Sequence, residues 1–145
     1  MEGWDTVDEM YSEKGRPWSH MNIEILWDND EKTIIRWVFA GDFDWEDYKQ
    51  AYMDAEKLHT EVDHGFATIF DLSQLVRVPR YPIARYPELT RQVPEKQNML
   101  VIISTNRWVE SLGRIFTSVY STNIKFVRNS EDAYALIAKH QNSGL

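Results

Sequence analysis

The sequence contains no cysteine. That absence removes disulfides, thiolate metal sites and cysteine nucleophiles together, and it fits a reducing compartment. Long apolar runs are absent too. No stretch approaches the roughly 18 residues that a spanning helix needs, so membrane insertion is not expected. The opening residues, MEGWDTVDEMYSEKGRPWSH, lack the basic start and apolar middle of a secretory leader, and a cytoplasmic location is expected. Positive charge is scarce. With a net charge of -7 the chain is not expected to bind nucleic acid, which needs neutralising cations along a groove. Six glycines in all leave little material for phosphate cradles. There is no Gly-x-Ser-x-Gly elbow, no His-Glu-x-x-His pair and no phosphate-binding glycine loop. The chain is therefore expected not to be an enzyme and to need no metal and no cofactor.

Aromatic residues are what it has in quantity: six Trp, seven Tyr and six Phe. Most suit a core of large fillers. Trp4, Tyr11 and Trp18 lie in a polar N-terminal stretch and cannot all be core of their own segment. Aromatics are enriched at interfaces, so this stretch is a candidate surface for self-association. At 145 residues the chain reads as an arm over residues 1–20 followed by one domain over residues 21–145. No internal repeat and no low-complexity segment interrupts it.

Hydrophobic spacing then sets the order of elements. In HMNIEILWD, Met21, Ile23, Ile25 and Trp27 alternate with Asn22, Glu24 and Leu26, the period of a strand. DNDEK supplies a turn, and TIIRWVFAG is a second strand rich in β-branched and aromatic residues, so the two form an antiparallel hairpin. Ile35, Trp37 and Phe39 share one face of it. Ile34, Arg36 and Val38 share the other, which is expected to be the less buried side and a candidate oligomer surface with Trp4 and Trp18. From Asp44 the period changes to that of a helix. Asp44 is the expected N-cap, Glu46 and Asp47 lie in the first turn, and Trp45, Tyr48, Tyr52, Ala55 and Leu58 fall on one face.

Three strand–helix units follow. FATIFDL and NMLVIIS read as central strands, and residues 83–92 as a short helix. A helix opens at Thr105 or Asn106, IKFVRN is the last strand, and SEDAYALIAKHQ is a last helix expected to be capped by Ser130. The order is β-β-α-β-α-β-α-β-α. This is an α/β domain of α+β character, with a mixed sheet, an N-terminal antiparallel hairpin and helices mainly on one face.

Two places carry candidate chemistry. Asp71 and Ser73 end an apolar run. They either cap the strand end, since both residue types bond nearby backbone N–H groups, or line a cleft at the carboxyl ends of the strands. A phosphoacceptor aspartate of the receiver type is a third possibility, with Asp28, Asp30, Asp71, Ser104, Thr105 and Lys125 as its set. It is disfavoured because the acids after the first strand lead into a hairpin and Lys125 lies inside its strand. The second place runs from Arg77 to Arg91. Arg77, Arg80, Arg85 and Arg91 are opposed there by Glu88 alone and interleaved with Tyr81 and Tyr86. It is either a solvated face covering apolar surface or a site for an anionic ligand or acidic partner. His59, Glu61, Asp63 and His64 offer ligand types but match no zinc spacing.

The order of elements resembles the STAS-like fold, named for sulfate transporters and anti-sigma-factor antagonists. Three stretches carry the likeness: IIRWVFAGDFDWEDYKQAYMDA, ATIFDLSQL and SEDAYALI. It is nearest to uncharacterised bacterial STAS-like proteins. The resemblance implies a small signalling module that works by protein–protein interaction, as a homodimer. Phosphorylatable members carry Asp-Ser-Gly after the strand. This chain reads LVRVPRYP there, so the usual phosphorylatable serine is missing. A carrier or sensor of a small apolar or anionic ligand, with Trp45, Tyr48 and Tyr52 as pocket wall and residues 79–94 as lid, is the alternative. An enzyme of uncatalogued type is the third reading.

Overall fold

The fold is taken from a computed structural model that describes residues 22–77, 94–107, 109–111 and 123–143. Among these residues five strands form one sheet in the order β1-β2-β3-β4-β5. They are β1 (Ile23–Trp27), β2 (Ile34–Asp42), β3 (Phe66–Arg77), β4 (Gln97–Ile103) and β5 (Ile124–Val127). β1 and β2 are the expected antiparallel hairpin, with Ile25 opposite Trp37. The remaining neighbours, β2–β3, β3–β4 and β4–β5, are parallel. The mixed sheet and its hairpin follow the spacing of the sequence.

Helix α1 (Trp45–His59) begins where expected. The Asp44 carboxylate accepts from the Asp47 N–H at 2.8 Å, and Asp47 accepts in return from the Asp44 N–H at 3.1 Å. This reciprocal cap satisfies two of the N–H groups that a helix start leaves without partners. Tyr48, Ala51 and Ala55 point into the sheet. At the other end the Lys96 ammonium donates to the carbonyls of Val62 at 2.6 Å and His59 at 3.2 Å. Gly65 follows, where an added Cβ would stand 3.0 Å from Asn98 and 3.4 Å from the Lys96 carbonyl.

Sequential parallel strands with right-handed crossovers place their helices on one face. α1 accordingly lies on the face bearing Ile35, Trp37 and Phe39. Residues 107 and 109–111 are helical, capped by the Asn106 side chain, and Val109 packs on Leu100 and Ile102 of that same face. The helix α2 (Ser130–Ser143) follows β5. It folds back over the opposite face, where Ala133 and Ile137 pack with Ile34, Ala67, Ile69 and Val101. Its side-chain cap is Asn129, whose carbonyl oxygen accepts from the Asp132 N–H at 2.8 Å, and not Ser130.

This return corrects the expectation of an open sheet side. Ile34 and Arg36 are each only 8% exposed, because the terminal helix covers them, and Val38 is half-buried. Two further expectations change. β3 does not stop at Asp71 but runs on to Arg77, past a bulge where Leu72 and Ser73 face Phe39 alone and a second register shift before Arg77. Among the described residues the strand order never reverses, so these strands form no crevice of the switch-point kind at their carboxyl ends. The short helix expected over residues 83–92 lies outside the described residues, as does the arm over residues 1–20.

Candidate functional site

An arginine in the middle of an apolar strand needs acids within reach, because a buried cation without a partner is costly. Arg36 in IIRWVF meets that need on the outer face. Its Nε lies 3.2 Å from Asp28 and its Nη1 2.8 Å from Asp71, each acid side chain being 15% exposed. Nη2 donates to the Ser130 hydroxyl at 3.2 Å and to the Tyr134 hydroxyl at 2.9 Å. The Tyr134 hydroxyl donates in turn to Asp28 at 2.6 Å. The guanidinium also lies 5.7 Å from the centre of the Tyr134 ring.

The chain supplies this cluster from four elements. Asp28 directly follows β1, Arg36 is in β2, Asp71 is in β3, and Ser130 and Tyr134 lie one turn apart at the start of α2. Because Asn129 caps that helix, the Ser130 hydroxyl is available to Arg36. Burial pushes the Arg36 guanidinium toward its neutral form, but the Tyr134 hydroxyl and Asp28 outweigh it and raise its pKa. Burial and the bond to Asp28 raise the Tyr134 pKa above the ordinary phenol value, against the pull of Arg36. Both groups thus keep their protons at neutral pH.

Asp71 has its two oxygens committed differently. Oδ2 takes the Arg36 bond. Oδ1 accepts from the Ser73 N–H at 3.0 Å and from the Ser73 hydroxyl at 2.6 Å. The carboxylate therefore fixes the bulge on one side and the cation on the other. Ser73 itself is exposed. The structure thus brings Asp71 and Ser73 together and adds Arg36. Arg77, the last residue of β3, stands opposite Asp42. Arg80, Tyr81 and Arg85, with Trp4 and Trp18, lie outside the described residues.

Asp28 does come to Asp71, through Arg36, although the hairpin gave no reason to expect it. The gathering is not a receiver-type acid pocket, since the cation sits between the two carboxylates. Lys125 is exposed on β5, paired in register with Val101. No group of three or more metal-ligating side chains occurs among the described residues. No described helix is long and apolar enough to cross a membrane. Of the candidate pocket-wall rings, Trp45 and Tyr48 pack on each other at 5.7 Å, and Tyr48 also lies 5.4 Å from Trp37 of the core.

Sequence reasoning missed Arg36 as the centre of the site and Tyr134 and Ser130 as its partners. The signal was present: a single arginine flanked by Ile34, Ile35, Trp37 and Val38 implies a buried ion pair rather than an outer surface.

No protein-family model matches the chain, and no curated protein matches it. A solved structure does. The crystal structure of an uncharacterised protein from the DUF3478 family, with a SpoIIAA-like fold, from Shewanella loihica, aligns with a TM-score of 0.61 at 16% identity. The alignment covers 79% of this chain and 91% of that one. At that identity the likeness shows the fold alone: this chain has the SpoIIAA-like, STAS-like α/β topology.

Proposed function

We propose that this chain is a non-catalytic regulatory module that acts by protein–protein contact, through the exposed Ser73 bulge and the arginine-rich segment that follows it. The observation in support is the double commitment of Asp71. Both carboxylate oxygens are engaged by neighbours of the same chain, Oδ1 by Ser73 and Oδ2 by Arg36, so the acid shapes the surface at the bulge. Arg77, Arg80 and Arg85, with Tyr81, would supply the contacts to an acidic partner, because guanidinium groups match carboxylates with paired bonds. Self-association through Trp4 and Trp18 completes the reading.

Affinity capture tests it. Wild type, Ser73→Arg and the pair Arg80→Ala with Arg85→Ala are compared, with the exposed Glu56→Gln on α1 as a remote control. A partner retained by the control and lost from both site variants supports the reading. Capture unchanged by either variant refutes it. Light scattering of Trp4→Ser with Trp18→Ser tests the homodimer, which should fall to monomer mass. A small molecule that co-purifies in native mass spectrometry would favour a carrier instead.

A further inference from the structure

An unbroken line of bonds joins the outside of the molecule to its last helix. The exposed Ser73 hydroxyl donates to Asp71, Asp71 accepts from Arg36, and Arg36 donates onward to Ser130 and Tyr134. The helix that receives these bonds is joined to the edge strand β5 by Arg128 and Asn129 alone. Its apolar hold on the sheet comes from Ala133, Leu136 and Ile137. Its polar hold on Arg36 is made by Ser130 and Tyr134, at its N-terminal end.

The geometry points to a latch: docking of the terminal helix over Ile34, Ile69 and Val101 is coupled, through Asp71 and Arg36, to the state of Ser73. This rests on the reading of the Ser73 bulge as a binding surface and names how binding there is regulated. A partner that presents a cation to Asp71, or takes the Ser73 hydroxyl as its own donor, changes the carboxylate that holds Arg36. Arg36 then shifts its bonds toward Asp28 and away from Ser130, and competes with the Tyr134 hydroxyl for the Asp28 oxygen that both share. Coupling of this kind is reciprocal, so a docked helix also keeps Asp71 in the orientation that Ser73 completes. The two-state element is the helix itself, which opens as a local unit when its attachments weaken.

Hydrogen exchange read by mass spectrometry on the full chain tests the coupling. Peptides from residues 133–143 are compared with peptides from β2 and β4 in wild type, Tyr134→Phe and Ser73→Ala. Tyr134→Phe keeps the ring and deletes two bonds of the latch, which corresponds to exchange faster by roughly tenfold in the helix. Ser73→Ala is expected to speed the same peptides by about twofold to threefold, with the sheet peptides unchanged. Ser130→Ala replaces Tyr134→Phe if the latter fails to fold. Helix exchange unmoved by Ser73→Ala overturns the coupling, and so does acceleration of helix and sheet together. The two readings fail separately. Partner capture that ignores Ser73 while the helix responds refutes the binding surface alone. Capture lost in Ser73→Arg while the helix is unmoved by Ser73→Ala refutes the latch alone.

Discussion

The two faces of the sheet are held by different physics, although one strand serves both. On the α1 side, Trp37, Phe39, Tyr48 and Phe70 form a nest of rings with centroids 4.8–6.5 Å apart. Those contacts are apolar and depend little on pH or salt. On the α2 side the same β2 contributes Arg36, and the aliphatic core of Ile34, Ile69 and Val101 adjoins an ion cluster. A packed apolar face resists solution conditions. A clustered-charge face responds to anything that alters one member.

The largest effects should come from one residue on each face. Trp37→Ala removes the centre of the ring nest and should cost about 3–5 kcal/mol in urea unfolding. Arg36→Met should cost a similar amount, about 3–5 kcal/mol, because it leaves two acids without their cation. The faces separate on rescue. Adding Asp28→Asn and Asp71→Asn should restore much of the loss in the Arg36 variant and none in the Trp37 variant. Equal behaviour of the two would break the distinction.

The next effect belongs to the α1 side. Asp44→Ala should lower stability by about 1 kcal/mol, since it opens the reciprocal cap with Asp47. The urea midpoint should move while the slope stays constant.

The smallest effect tests whether the ring-rich side is wholly silent to pH. His59 stacks on Phe66 at 4.7 Å, at the end of α1. Burial, then the nearby Lys96 charge, lowers its pKa below the ordinary value. The end of a helix by itself would have favoured the charged ring, and here burial outweighs it. The unfolded chain therefore takes up the proton first. His59 leaves stability intact above about pH 6.5 and subtracts from it as pH falls through the lowered folded-state value. Urea midpoints at pH 7.5 and 5.5 should differ less in His59→Gln than in wild type. An identical difference in both would remove His59 from this account.

Much of the fold was legible before any coordinates. The hairpin, the parallel strands, the Asp44 cap, Asn106 as one of two candidate helix starts, and the buried stripe of Ala133, Leu136 and Ile137 all follow from spacing and turn chemistry. The candidate site was legible only in part. Asp71 and Ser73 stood out as a polar pair ending an apolar run, yet their strand continues past a bulge to Arg77. Turn chemistry points to Ser130 as the cap of the last helix, a role that Asn129 fills from one residue earlier.

What the sequence by itself determined was local: which residues alternate, where the period changes, and where a turn must fall. These depend on neighbours a few positions apart, so the chain states them directly. The tertiary structure alone decided which sheet face the last helix covers, and hence that Ile34 and Arg36 are inside. It also decided that Arg36 would meet Tyr134, 98 positions away. Spacing carries no record of such a meeting. It exists because a buried guanidinium must find acceptors, and only the closed fold brings them within reach.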